Sequence, residues 1–422
     1  MSHLTYASIK SEKVKSKKDM IKIRFGSSMV LGMKVLPFYL LTFLLLMLSG
    51  CIEEFEADIP DDDSDLLVVE GTICSERLNK FYLSRTQPIH SDYIPRIIMS
   101  AEVSVRGSDG SEYKTQAVGG YYTCQLGALN PDVAYYLHIE FDGEVYESEP
   151  QKPLRTEKIA RIRGVQNSPE SNIDVLVTPA EPFDPDRANY YSWTYDETWE
   201  VYPDCTTEVY FDTEVKKPIF WMSNPFPRHG WIDGVSSAIM VGGSTNYEGQ
   251  HIKDLKMYDI SQSDERIFHR YSGLVHQRAI SKAEYEYELA RRQASSEMGG
   301  LFTPQPSSLP TNVRCLTSDK RAIGFVGCSL NSSDYRFFLN ASDFTVSHHR
   351  TDPRLWLEDC NEDDCCQMVY EGWFLCVWED SRMSPGGTLR TGWASVYQLD
   401  VRYKGAYIER PDFWSLEENV SY

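Results

Sequence analysis

Several signals that would assign chemistry are missing from this sequence. Its nine histidines form no His-Glu-x-x-His or comparable metal-ligand spacing. No Gly-x-Ser-x-Gly elbow offers a nucleophilic serine between a strand and a helix. The acidic runs Asp359, Glu362, Asp363, Asp364 and Asp184, Asp186 could offer oxygens to Ca²⁺, but neither has EF-hand spacing. A solvated acidic loop, tied down by neighbouring disulfides, is the preferred reading of 358–364. His348 and His349 are adjacent, so on a strand they would point to opposite faces and could not share a metal. Acidic residues are too common for a glycosidase pair to be singled out. These absences lead us to expect a protein that is not an enzyme and has no cofactor.

Positive charge is also scarce. The chain has 42 Lys or Arg against 62 Asp or Glu. The first 50 residues hold 8 of the basic and 2 of the acidic ones, leaving 34 against 60 and a formal charge of −26. That field repels nucleic acid and anionic membrane surfaces, so neither is expected as a partner.

The longest apolar run, Leu36 to Leu48, is about 13 residues, short of the roughly 20 needed to span a hydrocarbon core. Lys34 precedes it and Leu48-Ser49-Gly50-Cys51 ends it. A basic start, an apolar middle and small residues before a cysteine read as an export signal, and Cys51 resembles the lipid-accepting residue of bacterial lipoproteins. A spanning or buried helix is the alternative. More than one acyl chain on Cys51 would hold the protein at a membrane unaided. Met1 to Gly32, with seven basic residues, fit poorly before this signal; a start at Met33 or an unusually long n-region would account for them.

The rest divides into an acidic tether over 51–65, a first domain over 66–156 and a second over 165–422. Ile52 to Ser64 is too rich in carboxylates to fold. Its place after Cys51 resembles the surface-export tag of Bacteroidota lipoproteins, with a plain periplasmic linker as the alternative. From Leu66 to Thr156, six or seven short alternating strands with turns at Ser108–Ser111 and Asp142-Gly143 predict an immunoglobulin-type sandwich. Arg155 to Pro169 reads as the boundary.

The second domain is expected to be a larger β-rich unit with a helical insertion near 265–297 and long loops in part of 218–249. Ser281 and Glu284 have capping-box spacing and predict a helix over Lys282–Ser296, with Tyr287 and Arg291 on one face. Asp264 could cap another helix over Glu265–Ser272, ended by Gly273. Trp221, Phe226 and Trp231 could form an exposed aromatic platform for a sugar, a peptide or a partner, or simply pack. Nine cysteines follow Cys51, so at least one is unpaired. Cys74 and Cys124 could be a pair or two buried thiols, and the group Cys360, Cys365, Cys366, Cys376 is expected to hold a bridge.

The lipobox, Leu67-Val68-Val69-Glu70-Gly71, the stretch Ser295 to Pro304, Pro310-Thr311-Asn312-Val313 and the terminal Arg410-Pro411-Asp412-Phe413-Trp414 together resemble the DUF4249 family of Bacteroidota lipoproteins. The resemblance implies an all-β outer-membrane lipoprotein, lipid-anchored at Cys51, whose genes often neighbour those for SusC-like TonB-dependent transporters. It carries over no catalytic or binding residue. The leading expectation is a noncatalytic surface lipoprotein that binds a small ligand, glycan or peptide beside such a transporter. The alternatives are a structural or adhesion protein of the envelope and an uncharacterised hydrolase.

Overall fold

In the strand Leu67–Cys74, Leu67, Val69 and Ile73 turn inward, the period of two that a half-buried strand requires. A computed structural model describes residues 65–86, 96–296, 309–347, 352–415 and 420–421. Within them the chain is mostly β-sheet with short helical insertions. The signal, Cys51, the acidic tether and His348-His349 lie outside the described residues.

Two sheets share the first core. One runs in the order 322–329, 67–74, 78–85, 121–125, 116–118, and the other 313–315, 144–148, 135–141, 102–107, 112–114. Val69, Phe81 and Leu83 from one meet Val105, Leu137 and Ile139 from the other. The Asp142-Gly143 turn forms as read: both residues have positive φ, 56° and 77°, and Phe141 pairs with Glu144. Two strands of this sandwich come from beyond residue 309. Val313–Cys315 joins one edge, and Ala322–Ser329 lies parallel to Leu67–Cys74. The pair of sheets begun by 66–156 is therefore completed by a segment assigned on sequence to the second domain.

The expected boundary at 155–169 is itself built into the structure. Ile159–Gln166 is a strand paired with Ile173–Pro179, with Ile159 and Ile162 in the second core. A register shift between Ile159 and Arg161 breaks its alternation; Arg161 and Arg163 on its exposed side both reach Asp254, at 3.0 and 2.8 Å. Thr156 and Glu157 are buried just before it. The second core lies between the sheet 159–166, 173–179, 255–260 and a larger one built around Tyr190–Val201. That 12-residue strand pairs with Gly230–Val235 and Met240–Gly243 along one edge and with Arg270–Ile280 along the other. Trp193 fills the middle, its indole N–H donating to Gln277 at 2.9 Å while Gln277 donates to the Glu157 carbonyl at 2.8 Å.

Helix α1, Lys282–Ser296, has the limits read from the sequence, and Tyr287 is buried with the Arg291 guanidinium 6.0 Å from its ring centre. Only half of the capping box forms. Ser281 Oγ accepts from the Glu284 N–H, but the Glu284 carboxylate binds Arg278 instead of turning back. The expected helix over 265–272 is replaced. Asp264 caps a single turn, Glu265–Ile267, and the strand Arg270–Ile280 follows. Gly273 does not end a helix; it lies opposite Phe337, whose ring occupies the space of a Cβ.

A third, smaller core is built by 355–394 with the hairpin 209–220. Phe211, Cys360, Cys365, Met368, Leu375, Leu389 and Trp393 pack together. The acidic stretch before it is not a loop. Asn361 caps helix α2, Glu362–Tyr370, accepting from the N–H groups of Asp363 and Asp364 at 2.9 and 3.0 Å, while Asp364 accepts from the Asn361 N–H. Three carboxylates in the first turn suit the positive end of the helix. The chain then returns across the second sheet, where Trp414 is buried against Trp231 and Phe338.

Candidate functional site

Between the strands 67–74 and 78–85 of the first sheet and the strands Tyr190–Val201 and Arg270–Ile280 lies a cleft of about 590 Å³. Cross-strand register builds one wall. In antiparallel pairs, opposite residues share a face. Ser192 lies opposite Arg278, and Thr194 opposite His276, which is also opposite Asp334. Val275, Gln277 and Ala279 of the same strand point into the core, so alternation turns His276 and Arg278 outward.

The other wall is the turn between 67–74 and 78–85. Buried Asn79 holds it, accepting from the Cys74 N–H at 2.6 Å and donating to the carbonyls of Cys74 and Arg77 at 3.0 Å each. This fixes Arg77 and Lys80 at the cleft edge.

Arg77 joins the walls. Its Nη2 is 3.0 Å from Asp334 Oδ2, while His276 Nδ1 is 2.9 Å from Asp334 Oδ1 and its Nε2 3.4 Å from Asp196. The hydrogen bond to Asp334, working against burial, raises the His276 pKa above its ordinary value. Burial opposes ionisation of Asp334, but His276 and Arg77 together hold its pKa below the usual carboxylate range. Deeper in, Arg278 pairs with Glu284, and its Nη1 has no hydrogen-bond partner among the described residues. Burial pushes the Cys74 thiol up and keeps it protonated. The cleft is thus lined by Arg77, His276 and Arg278, each paired with a carboxylate, by Lys80, and by the hydroxyls of Thr72, Ser192, Thr194 and Ser332.

Because the folded pKa of His276 is raised, its stabilisation is complete below the unfolded value of about 6.5 and is lost as pH rises through the folded value. For Asp334, whose pKa is depressed, the stabilisation is present above about 3.9 and lost as pH falls through the folded value. The wild type should therefore exceed His276→Gln by on the order of 1 kcal/mol near pH 5.5, and the gap should narrow toward pH 8.5. Urea midpoints across that range check this, and a pH-independent gap would refute it.

None of the three aromatic residues singled out on sequence lines this cleft. Trp231 is not an exposed ring: it is 2% exposed, bonded through both backbone groups to Tyr407 and packed edge-on against Trp414. Trp221 packs against Tyr210 at 4.5 Å, and Phe226 meets Phe374 edge-on at 5.0 Å. Asp184 accepts from the Asp186 N–H in a local turn. Among the described residues, no group of three or more His, Cys, Asp or Glu is placed to hold a metal ion. None of their helices is long and apolar enough to cross a membrane. Sequence reading missed Arg77, His276, Arg278 and Asp334. Alternation in Val275-His276-Gln277-Arg278 could have shown which residues face out, but not what they face.

The sequence matches the family described as "Domain of unknown function (DUF4249)" over residues 52–334. The chain belongs to DUF4249. The DUF4249 match contains every residue lining the cleft and ends at Asp334, ahead of the strands at 355–394. No curated protein matches the DUF4249 chain.

Proposed function

We propose that this DUF4249 protein is a noncatalytic binding lipoprotein, anchored in the outer membrane through Cys51 and facing the cell exterior, which captures a small polar ligand for a SusC-like TonB-dependent transporter. The observation that carries the binding role is the cleft at the junction of the sandwiches, where two packed bodies supply opposite walls and Arg77 reaches across to Asp334. The signal ending at Cys51 and the acidic run after it support anchoring with the body held clear of the membrane. In this reading the first sandwich is of immunoglobulin type and serves as one jaw.

Affinity isolation from mildly solubilised outer membranes tests the proposal. The expected result is a TonB-dependent transporter in near-equal amount, with Cys51→Ala released from the membrane fraction. Recovery of the wild type alone, under conditions that preserve other envelope complexes, would count against the transporter. Membrane retention of Cys51→Ala would count against the anchor.

A further inference from the structure

Cys376 occupies an irregular position. Along Phe374–Asp380 the pairing with Leu389–Ala394 shifts register between Leu375 and Val377, so Cys376 is the extra residue of a bulge. Bulges re-aim a side chain out of the strand's alternation. The Cys376 side chain faces Cys205, close enough for one thiol to donate to the other. Cys205 lies on the loop between Tyr190–Val201 and the hairpin at 209–220, and this loop is well fixed. The N–H groups of Asp204 and Cys205 donate to the Gln398 carbonyl at 2.9 and 3.3 Å. Buried Thr207 Oγ1 donates to the Leu375 carbonyl at 2.6 Å, one residue from Cys376.

A second pair lies in the same module. Cys360 Sγ and Cys365 Sγ are 3.3 Å apart, on either side of the Asn361 cap that starts α2. Both are buried in the third core, whereas Cys205 and Cys376 are partly exposed. The other described cysteines are Cys124 and Cys328 in the first core, Cys74 at the cleft, Cys315 beside Thr317 and Ser318, and Cys366 on α2.

We propose that Cys205–Cys376 and Cys360–Cys365 are disulfide-forming pairs, the first fastening the 355–394 module to the loop that follows the strand Tyr190–Val201 and the second closing the turn into α2 within that module. The oxidant is a dithiol–disulfide exchange partner carrying a donor disulfide. The Cys205 thiolate attacks one donor sulfur and expels the other as a thiolate, forming a mixed disulfide. Cys376 then loses its proton and its sulfur attacks that of Cys205, which releases the remaining donor thiolate. Two electrons pass to the donor, whose two thiolates take up the two protons lost by the cysteines. The Cys376 thiol donates to the Phe374 carbonyl at 3.5 Å, and its closeness to Cys205 draws the Cys205 pKa down against the effect of burial, with Arg354 assisting.

The test uses the purified full-length chain, equilibrated in a buffer of reduced and oxidised glutathione, alkylated after denaturation and mapped by mass spectrometry of its peptides. The expected result is a 205–376 and a 360–365 linked peptide, with Cys74, Cys124, Cys315, Cys328 and Cys366 alkylated. Reduction should remove both links and lower the thermal midpoint. Cys205→Ser/Cys376→Ser should lose only the first link, with the far-ultraviolet spectrum unchanged. Full alkylation of a pair in oxidising buffer overturns that pair, and linkage of Cys205 to Cys365 or Cys366 overturns the assignment. The wild type supplies both oxidised and reduced forms, so the test stands even where a variant fails to fold.

Discussion

Gly324→Ala is expected to destabilise the protein by about 3 kcal/mol or more, among the largest effects of any single methyl group in the chain. Gly324 has φ near +130°, a conformation that an L side chain rarely adopts. It lies opposite Val69 in the parallel pair, and an added Cβ would run into the Val69 backbone carbonyl. Relief requires the two strands to part. The Gly324 carbonyl also accepts from Thr311 Oγ1 at 2.9 Å, so movement there loosens the entry to Val313–Cys315 as well. Urea unfolding should show the loss, and hydrogen exchange should show the amides of 67–74 losing protection first. Gly127→Ala is the control, since a Cβ there meets nothing within 4 Å and should shift stability by no more than about 0.5 kcal/mol. Equal midpoints for the two variants would mean that the parallel pair is not needed for stability.

Glu284→Ala should cost about 3–5 kcal/mol, because it strands the Arg278 charge in a site that water scarcely reaches. The Arg278 and Glu284 side chains are 19% and 5% exposed, and Gly327 leaves them room: a Cβ there would come within 2.5 Å of the Glu284 carboxylate. The cost belongs mostly to the orphaned charge, not to the attraction lost. A double variant, Arg278→Met with Glu284→Leu, should therefore be clearly more stable than Glu284→Ala alone. A thermodynamic cycle by chemical denaturation measures this, and a double variant as unstable as the single one would reject the stranded-charge account.

What the sequence discloses here divides by the range of the interaction that decides it. Lys282–Ser296 was legible to the residue, since helix formers, a serine cap and the glycines beyond are all local. Strands such as Ala322–Ser329 and Ser333–Asn340 were legible as strands but not by partner; Leu67–Cys74 pairs with the former across most of the intervening chain, with Leu67 opposite Ala322. The error at 265–272 has a physical cause. Asp264 does cap a turn, but Tyr271, Val275 and the gap beside Phe337 that Gly273 leaves commit the next residues to a sheet. The acidic run at 358–364 was read through its charge, whereas position relative to Asn361 gave the charge its use. Trp231 lies among glycines and prolines that look like loop, and it is distant residues, Tyr407 and Trp414, that pair with it and pack on it. The cleft follows the same rule: its residues come from four strands and the segments beside them, and no spacing announces them.

The parallel pair also sets a timetable. Leu67 waits for Ala322, a partner about 255 positions later, and until that partner exists one edge of the first sheet is bare. A chain growing at roughly 5–20 residues per second takes about 13–50 seconds to make the missing strand. The earliest-made sandwich is thus among the last parts to be finished. A polypeptide that cannot close its leading domain early stays threadable for longer, a useful property in any protein that must pass through a pore before it takes its final shape.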